Sequence, residues 1–296
     1  MSGAEGRGEA EPPREFDRIE SPEDLDQEKR VLHVAQRRFL MRTPLPEVAG
    51  GSILDEEKTY TARAPIGALV LSQKARALDN LERLFDLMID AQGERVVAHP
   101  FAPYSFIRTA IEATATGVWL IRSDRRADRV FRALQLEYRN VMERLRFVEL
   151  VATGPEVEDE RAASRRIFDR LNELKDSLPP LRQRALSMPP KYTGILSAVS
   201  ARDPATGGRT YAIDSPILVW KVASAFIHGS EDVIRALSDV RQLHDFENGA
   251  AAFEITPSLR MLGASASVCV DHLVEMENRY AYLATHDYAG RGVGRG

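Results

Sequence analysis

Cysteine is almost missing from this chain. Cys269 stands alone among 296 residues, which excludes an intrachain disulfide, a thiolate zinc site and a Cys-x-x-Cys redox pair. A reducing compartment fits best, and the expected location is cytoplasmic. No uncharged run reaches the roughly 20 residues that cross a bilayer, and the acidic, Pro- and Gly-rich beginning lacks the apolar stretch of a secretory signal. No membrane is expected among the partners. Phosphate-cradling glycine motifs are missing as well: there is no Gly-Lys-Ser/Thr loop, no Gly-x-Gly-x-x-Gly, and no Gly-x-Ser-x-Gly elbow. Di-iron bundles need Glu-x-x-His on two helices, and that order does not occur. The reverse order does, as His228-x-x-Glu231 and His272-x-x-Glu275, but Gly229 interrupts the first and the second reads as an exposed helix face. Neither a metal nor a cofactor is expected.

What remains is an ordinary globular composition, 44% hydrophobic and 28% charged, with room for one large or two ordinary domains. A net charge of −4 argues against nucleic-acid binding by the whole surface but leaves a local basic patch open. Residues 1–21 and 287–296 read as flexible tails, and residues 22–286 as a single helical domain in which 22–60 form a peripheral helix and an irregular link. Ser21-Pro22-Glu23-Asp24 opens a helix to about Met41. Amphipathic spacing then predicts helices over about 65–91, 104–122, 125–151 and 156–178, a short one at 181–187 and another near 191–200. Ser230-Glu231-Asp232 starts a helix to about Phe246, Asn248-Gly249 turns the chain, and Thr256-Pro257 starts the last helix, to about Thr285. No strand pattern is evident. The expected fold is all-α, a multi-helix bundle with disordered termini.

The bundle's centre is expected at 215–228. Ser215 suits the N-cap, Pro216 the first helical position and Gly229 the left-handed residue beyond the end. Between them nearly every side is apolar, the mark of a helix surrounded by protein. Trp220, Ser224 and His228 recur at spacing four on one face, with Lys221 opening the next row. On the 104–122 helix, Ala110, Ala113, Ala115 and Gly117 form a thin coat that lets another helix come close, and the first half of the last helix, thin-coated through Gly263–Ser267, is expected to pack there. Along the same helix Arg108 and Glu112 stand four apart, and Trp119 continues their row. Arg108, Glu112, Trp119 and Trp220 are therefore the candidate ligand-binding residues. Arg125, Arg129 and Arg132 head an arginine stripe on the following helix. Arginine matches phosphate geometry bidentately, so an RNA or nucleotide partner would bind there. Interspersed Asp124 and Asp128 equally allow a solvated face.

The Arg108–Glu112 row, the arginine-rich helix after it, and Trp220-x-x-x-Ser224-x-x-x-His228-Gly229 together resemble poorly characterised all-helical bacterial proteins. More distantly they resemble HEPN-type helical domains of toxin and phage-defence systems, over roughly residues 65–285. HEPN ribonucleases use an Arg, four to six residues, then a His. By that resemblance His228 would be the acid/base, Lys221 the phosphate contact and Ser224 a substrate-positioning hydroxyl. Lys221 stands where the motif has Arg and lacks its planar fork. The reading that follows is a non-catalytic binding or regulatory module, with homodimerisation left open; the alternative is a metal-independent ribonuclease with a degenerate Lys-x6-His motif.

Overall fold

The thin side-chain coat of residues 106–121 decides the architecture. In the computed structural model, which describes residues 20–244, 246 and 251–293, this stretch lies in helix α4 (Ala102–Ile121), buried along most of its length. Around it pack α3 (Ile66–Met88), α7 (Tyr192–Val199), α8 (Pro216–Ile227) and α10 (Leu259–Thr285). A β-carbon on Gly117 would overlap the thioether of Met276 on α10, so only glycine allows that approach. α1 (Pro22–Leu40) covers α10 from outside, and α5 (Arg126–Val151) pairs with α6 (Pro155–Asp176) in a hairpin. The fold is all-α in class, with α2 (Ile53–Glu57) inside the link expected to be irregular.

Several expectations need correction. The centre is α4, and α8 packs on its side: Lys221, Ile227 and His228 are exposed. A 12-residue helix with an apolar coat can bury most of one half against neighbours and still show the other, because scattered exposed apolar groups are tolerated. The first half of α10 does pack on α4, with Cys269 against the Ile107 carbonyl and Met276 continuing the contact, while Gly263 itself lies against Glu28 and Val31 of α1. Residues 181–187 form no α-helix; a single 3-10 turn spans Pro179–Leu181, and the Nζ of Lys175 bonds the carbonyls of Leu181 and Arg182. Beyond α9 (Glu231–Ala236) the chain leaves the helix for strand β1 (Ser238–Gln242), antiparallel to β2 (Phe253–Pro257), with Val240 opposite Ile255. Alternation around Val240 and Ile255, on either side of an Asn-Gly pair, is a hairpin signal; the expected turn at Asn248-Gly249 itself lies outside the described residues.

The described residues before α1 and after α10 are tied back to the bundle. Of the expected N-terminal tail, residues 1–19 lie outside the described residues, but Ser21 closes a capping box with Asp24 on α1. Glu20 caps α10: its carboxylate accepts from the hydroxyl of Ser258 and from the backbone N–H groups of Leu259 and Arg260. Ser258, and not Thr256, is the N-cap of α10, because Thr256-Pro257 is consumed by β2. After α10 the chain is also ordered, since Asp287–Arg291 form a turn and the N–H of Val293 returns to the carbonyl of Thr285; residues 294–296 lie outside the described residues. Tyr288 from this turn donates to Glu57. Glu57 is fully buried against Arg129, itself 1% exposed. Burial and the Glu57 carboxylate push the Tyr288 phenol up to about 12.

Breaking that ion pair strands a buried charge. Arg129→Met should cost about 3–5 kcal/mol of unfolding free energy in urea titration, and a second change, Glu57→Leu, should recover much of it, since an apolar pair no longer needs the counter-ion. A pH effect comes from His272 on α10, whose Nδ1 faces the Val268 carbonyl at 3.1 Å. Burial holds this imidazole below its ordinary range, against the pull of that carbonyl and Glu275. A depressed histidine contributes stability that is complete above the unfolded value of about 6.5 and is lost as pH falls below it. His272→Gln should therefore lose less thermal stability than the parent between about pH 7.5 and about pH 5.5.

Candidate functional site

Two helices far apart in sequence bring one polar cluster together. On α4, Arg108 and Glu112 face the same way, with side chains 28% and 14% exposed. On α8, Trp220 donates its indole N–H to Glu112 Oε1 at 2.7 Å. Arg108 Nε donates to the same oxygen at 3.3 Å, and its guanidinium lies 5.3 Å from the Trp220 ring centre. Its Nη1 is 3.3 Å from His228 Nε2. A guanidinium can only donate, so this contact is a hydrogen bond when Nε2 carries the lone pair and the ring hydrogen sits on Nδ1.

The end of α8 places His228. Gly229 is left-handed, with φ of 68°, and the N–H groups of Ser230 and Gly229 return to the carbonyls of Ala225 and Phe226. This is a complete Schellman closure, which fixes the last helical turn and turns His228 out beside Arg108. At the other end Ser215 occupies the N-cap position, yet its hydroxyl makes no capping bond and is buried without a partner.

Of the residues singled out from sequence, Arg108, Glu112, Trp220 and His228 meet. Lys221 is exposed on the same face, since seven residues are nearly two turns. Ser224 lies between Trp220 and His228, but its hydroxyl is buried and unpartnered, so it does not present the substrate-positioning group expected of it. Trp119 is 7% exposed and carries the guanidinium of Arg132 over its ring, away from the cluster. The arginine stripe is largely committed elsewhere. Arg129 is buried with Glu57, Arg132 donates to the Trp119 carbonyl at 2.6 Å, and Arg125, which is exposed, merely precedes α5. The reason is the end of α4. Its last carbonyls have no helical partner, and arginines from α5 and α10 supply one: Arg132 reaches Trp119 and Arg279 reaches Ile121, while Arg279 and Arg129 both bond the carbonyl of Ser123 in the turn just after the helix. Helical spacing showed which side of α5 the arginines share, but nothing in it pointed to Glu57, Arg279 or Tyr288.

Chemically the cluster is a donor surface with one carboxylate behind it. Glu112 fixes Arg108 and Trp220, while the remaining N–H groups of Arg108, the exposed edge of the His228 ring and the Lys221 ammonium are left for an acceptor-rich ligand. A separate cleft of about 440 Å³ opens between the start of α1, residues 96–98 and the β-hairpin; none of the sequence-derived candidates lines it. Among the described residues no three His, Cys, Asp or Glu side chains are grouped to hold a metal ion, and no helix is long and apolar enough to cross a membrane. Comparison of the chain with family models, with curated proteins and with solved structures gives no match.

Glu112 is the hub, and removing it should be visible at Trp220. In a Trp119→Phe background, Glu112→Ala should shift the indole emission to the red and cost about 1–3 kcal/mol, read by fluorescence-detected unfolding. An unchanged emission maximum would mean that the indole N–H is not held.

Proposed function

We propose that the chain is a non-catalytic binding module that takes an anionic ligand, phosphate-bearing and of the RNA class, on the face formed by Arg108, His228 and Lys221. The observation that carries this reading is the convergence of Arg108, Glu112, Trp220 and His228 from helices more than a hundred residues apart. A carboxylate that fixes the arginine in place reduces the entropy cost of presenting its outer edge to a phosphate. The resemblance to HEPN-type domains supports the choice of nucleic acid, and a place in stress or phage defence follows from the same resemblance.

A ribonuclease is the second reading, and one observation favours it: the guanidinium that Lys221 does not supply is delivered to His228 by Arg108. The same contact argues for binding first. Arg108 Nη1 lies 3.3 Å from Nε2, so His228 would have to move from the guanidinium before that nitrogen could take a proton from a ribose hydroxyl.

Titration of the protein with a short single-stranded RNA at about physiological salt separates the two readings. Binding without cleavage is expected, with affinity lowered about tenfold by Arg108→Ala and by Lys221→Ala. Cleavage that is abolished by His228→Ala would instead establish the enzyme. If RNA does not bind, or if Arg108→Ala and His228→Ala leave binding unchanged, the site is not where this ligand goes.

A further inference from the structure

α1 packs inward through Leu32, Ala35 and Phe39, which turns its opposite side to the outside. That outer side shows Val34, Leu40 and Met41 at 52%, 69% and 74% exposure. Its charges are sorted along the axis. Glu23 and Asp26 lie near the start, Arg30 and Arg37 toward the end, and spacings of three and four put residues 23, 26, 30, 34, 37 and 41 on one line. Arg30, Arg37 and Glu23 have no ion-pair partner among the described residues; Asp26 has only Lys29, at 3.1 Å in an exposed pair of small worth. Beside the line runs an open groove of about 570 Å³, edged by Arg30, His33, Val34, Arg37, Leu40 and Gly93.

We propose that a second copy of this chain docks on this face, as an antiparallel pair of α1 helices related by a two-fold axis near the level of Val31 and Leu32. In that register Asp26 of one copy lies beside Arg37 of the other, Val34 packs on the aliphatic stem of Arg30, and Leu40 and Met41 cover the opposite first turn. A parallel pair would set Arg37 on Arg37 and acid on acid, whereas the antiparallel one pairs Asp26 with Arg37 twice, so the charge order selects it even though the two Arg30 side chains lie one turn apart across the axis. An isologous surface of this kind closes at two copies. One pair of five-turn helices sits at the low end of the usual interface size, about 1,200–2,000 Å², so the dimer is concentration-dependent.

Sedimentation equilibrium of the full chain, from about one to about one hundred micromolar, should show monomer and dimer in exchange. Arg37→Glu should weaken the dimer about tenfold or more, Asp26→Arg likewise, and the two together in one chain should restore it to within about threefold. Raised salt should weaken the parent dimer and Val34→Glu should abolish it. A chain that stays monomeric throughout, or a dimer indifferent to Arg37→Glu and Val34→Glu, overturns the proposal. Should a charge variant fail to fold, His33→Cys decides: oxidation is expected to link two copies, with Cys269 buried and unable to compete, and no link overturns it.

Discussion

Everything in this bundle leans on the unpaired carbonyl end of α4. A helix buried on several sides cannot send its last carbonyls to water, and each one left bare would cost on the order of 1–3 kcal/mol. Here the solution is arginine delivered from two other helices: Arg132 to Trp119 and Arg279 to Ile121, with Arg279 and Arg129 holding the carbonyl of Ser123 in the turn that follows. Cations also suit the negative end of a helix dipole. One of these arginines is then buried too deeply to stand alone, which explains Glu57 and in turn Tyr288. Burial of one helix thus propagates into a chain of polar commitments that reaches the C-terminal turn.

The polar cluster at the other end of the α4–α8 contact obeys the same logic with a different outcome. Glu112 is shared by an indole N–H and a guanidinium, both held at one oxygen. The outer edge of Arg108 and the ring of His228 are left facing solvent. The arginines near α4's C-terminal end are spent on backbone; Arg108 at its N-terminal half has donors in reserve. That contrast, and not the number of arginines on a helix, is what distinguishes a binding residue from a structural one.

Local signals in the sequence were readable where both partners of an interaction lie within one element. The helix start at Ser21-Pro22, the glycine closure after His228 and the amphipathic spacing of α5 all belong to this kind, and helix spacing put Trp220 and His228 on one face. Spacing also placed Arg108 and Glu112 together. It could not say that Trp220 would find Glu112, because no rule of periodicity links residues 108 apart. The same limit hid the role of Arg129: as a member of a stripe it looked solvated, and only its partner on α2 shows why it is inside. Glu20 was lost to composition, since a polar segment beside a Pro- and Gly-rich beginning reads as tail unless its target, the start of α10, is known. The hairpin was misread for another reason. β1 adjoins a helix start signalled by Ser230-Glu231-Asp232, and with no clear stop that helix was extended through it, while Thr256-Pro257 of β2 read as a helix start.

The caps also fix when this chain can become a protein. Arg279 lies 158 residues beyond the Ile121 carbonyl it satisfies, and Glu20 waits for a helix that begins 239 residues later. During synthesis, then, the first half of the molecule emerges with the end of its most buried helix bare and its N-terminal capping residue without a partner. Contacts between such distant residues slow folding through the entropy of loop closure. Neither cap can form before α10 is in place, because that helix carries both Arg279 and the backbone N–H groups that Glu20 accepts from.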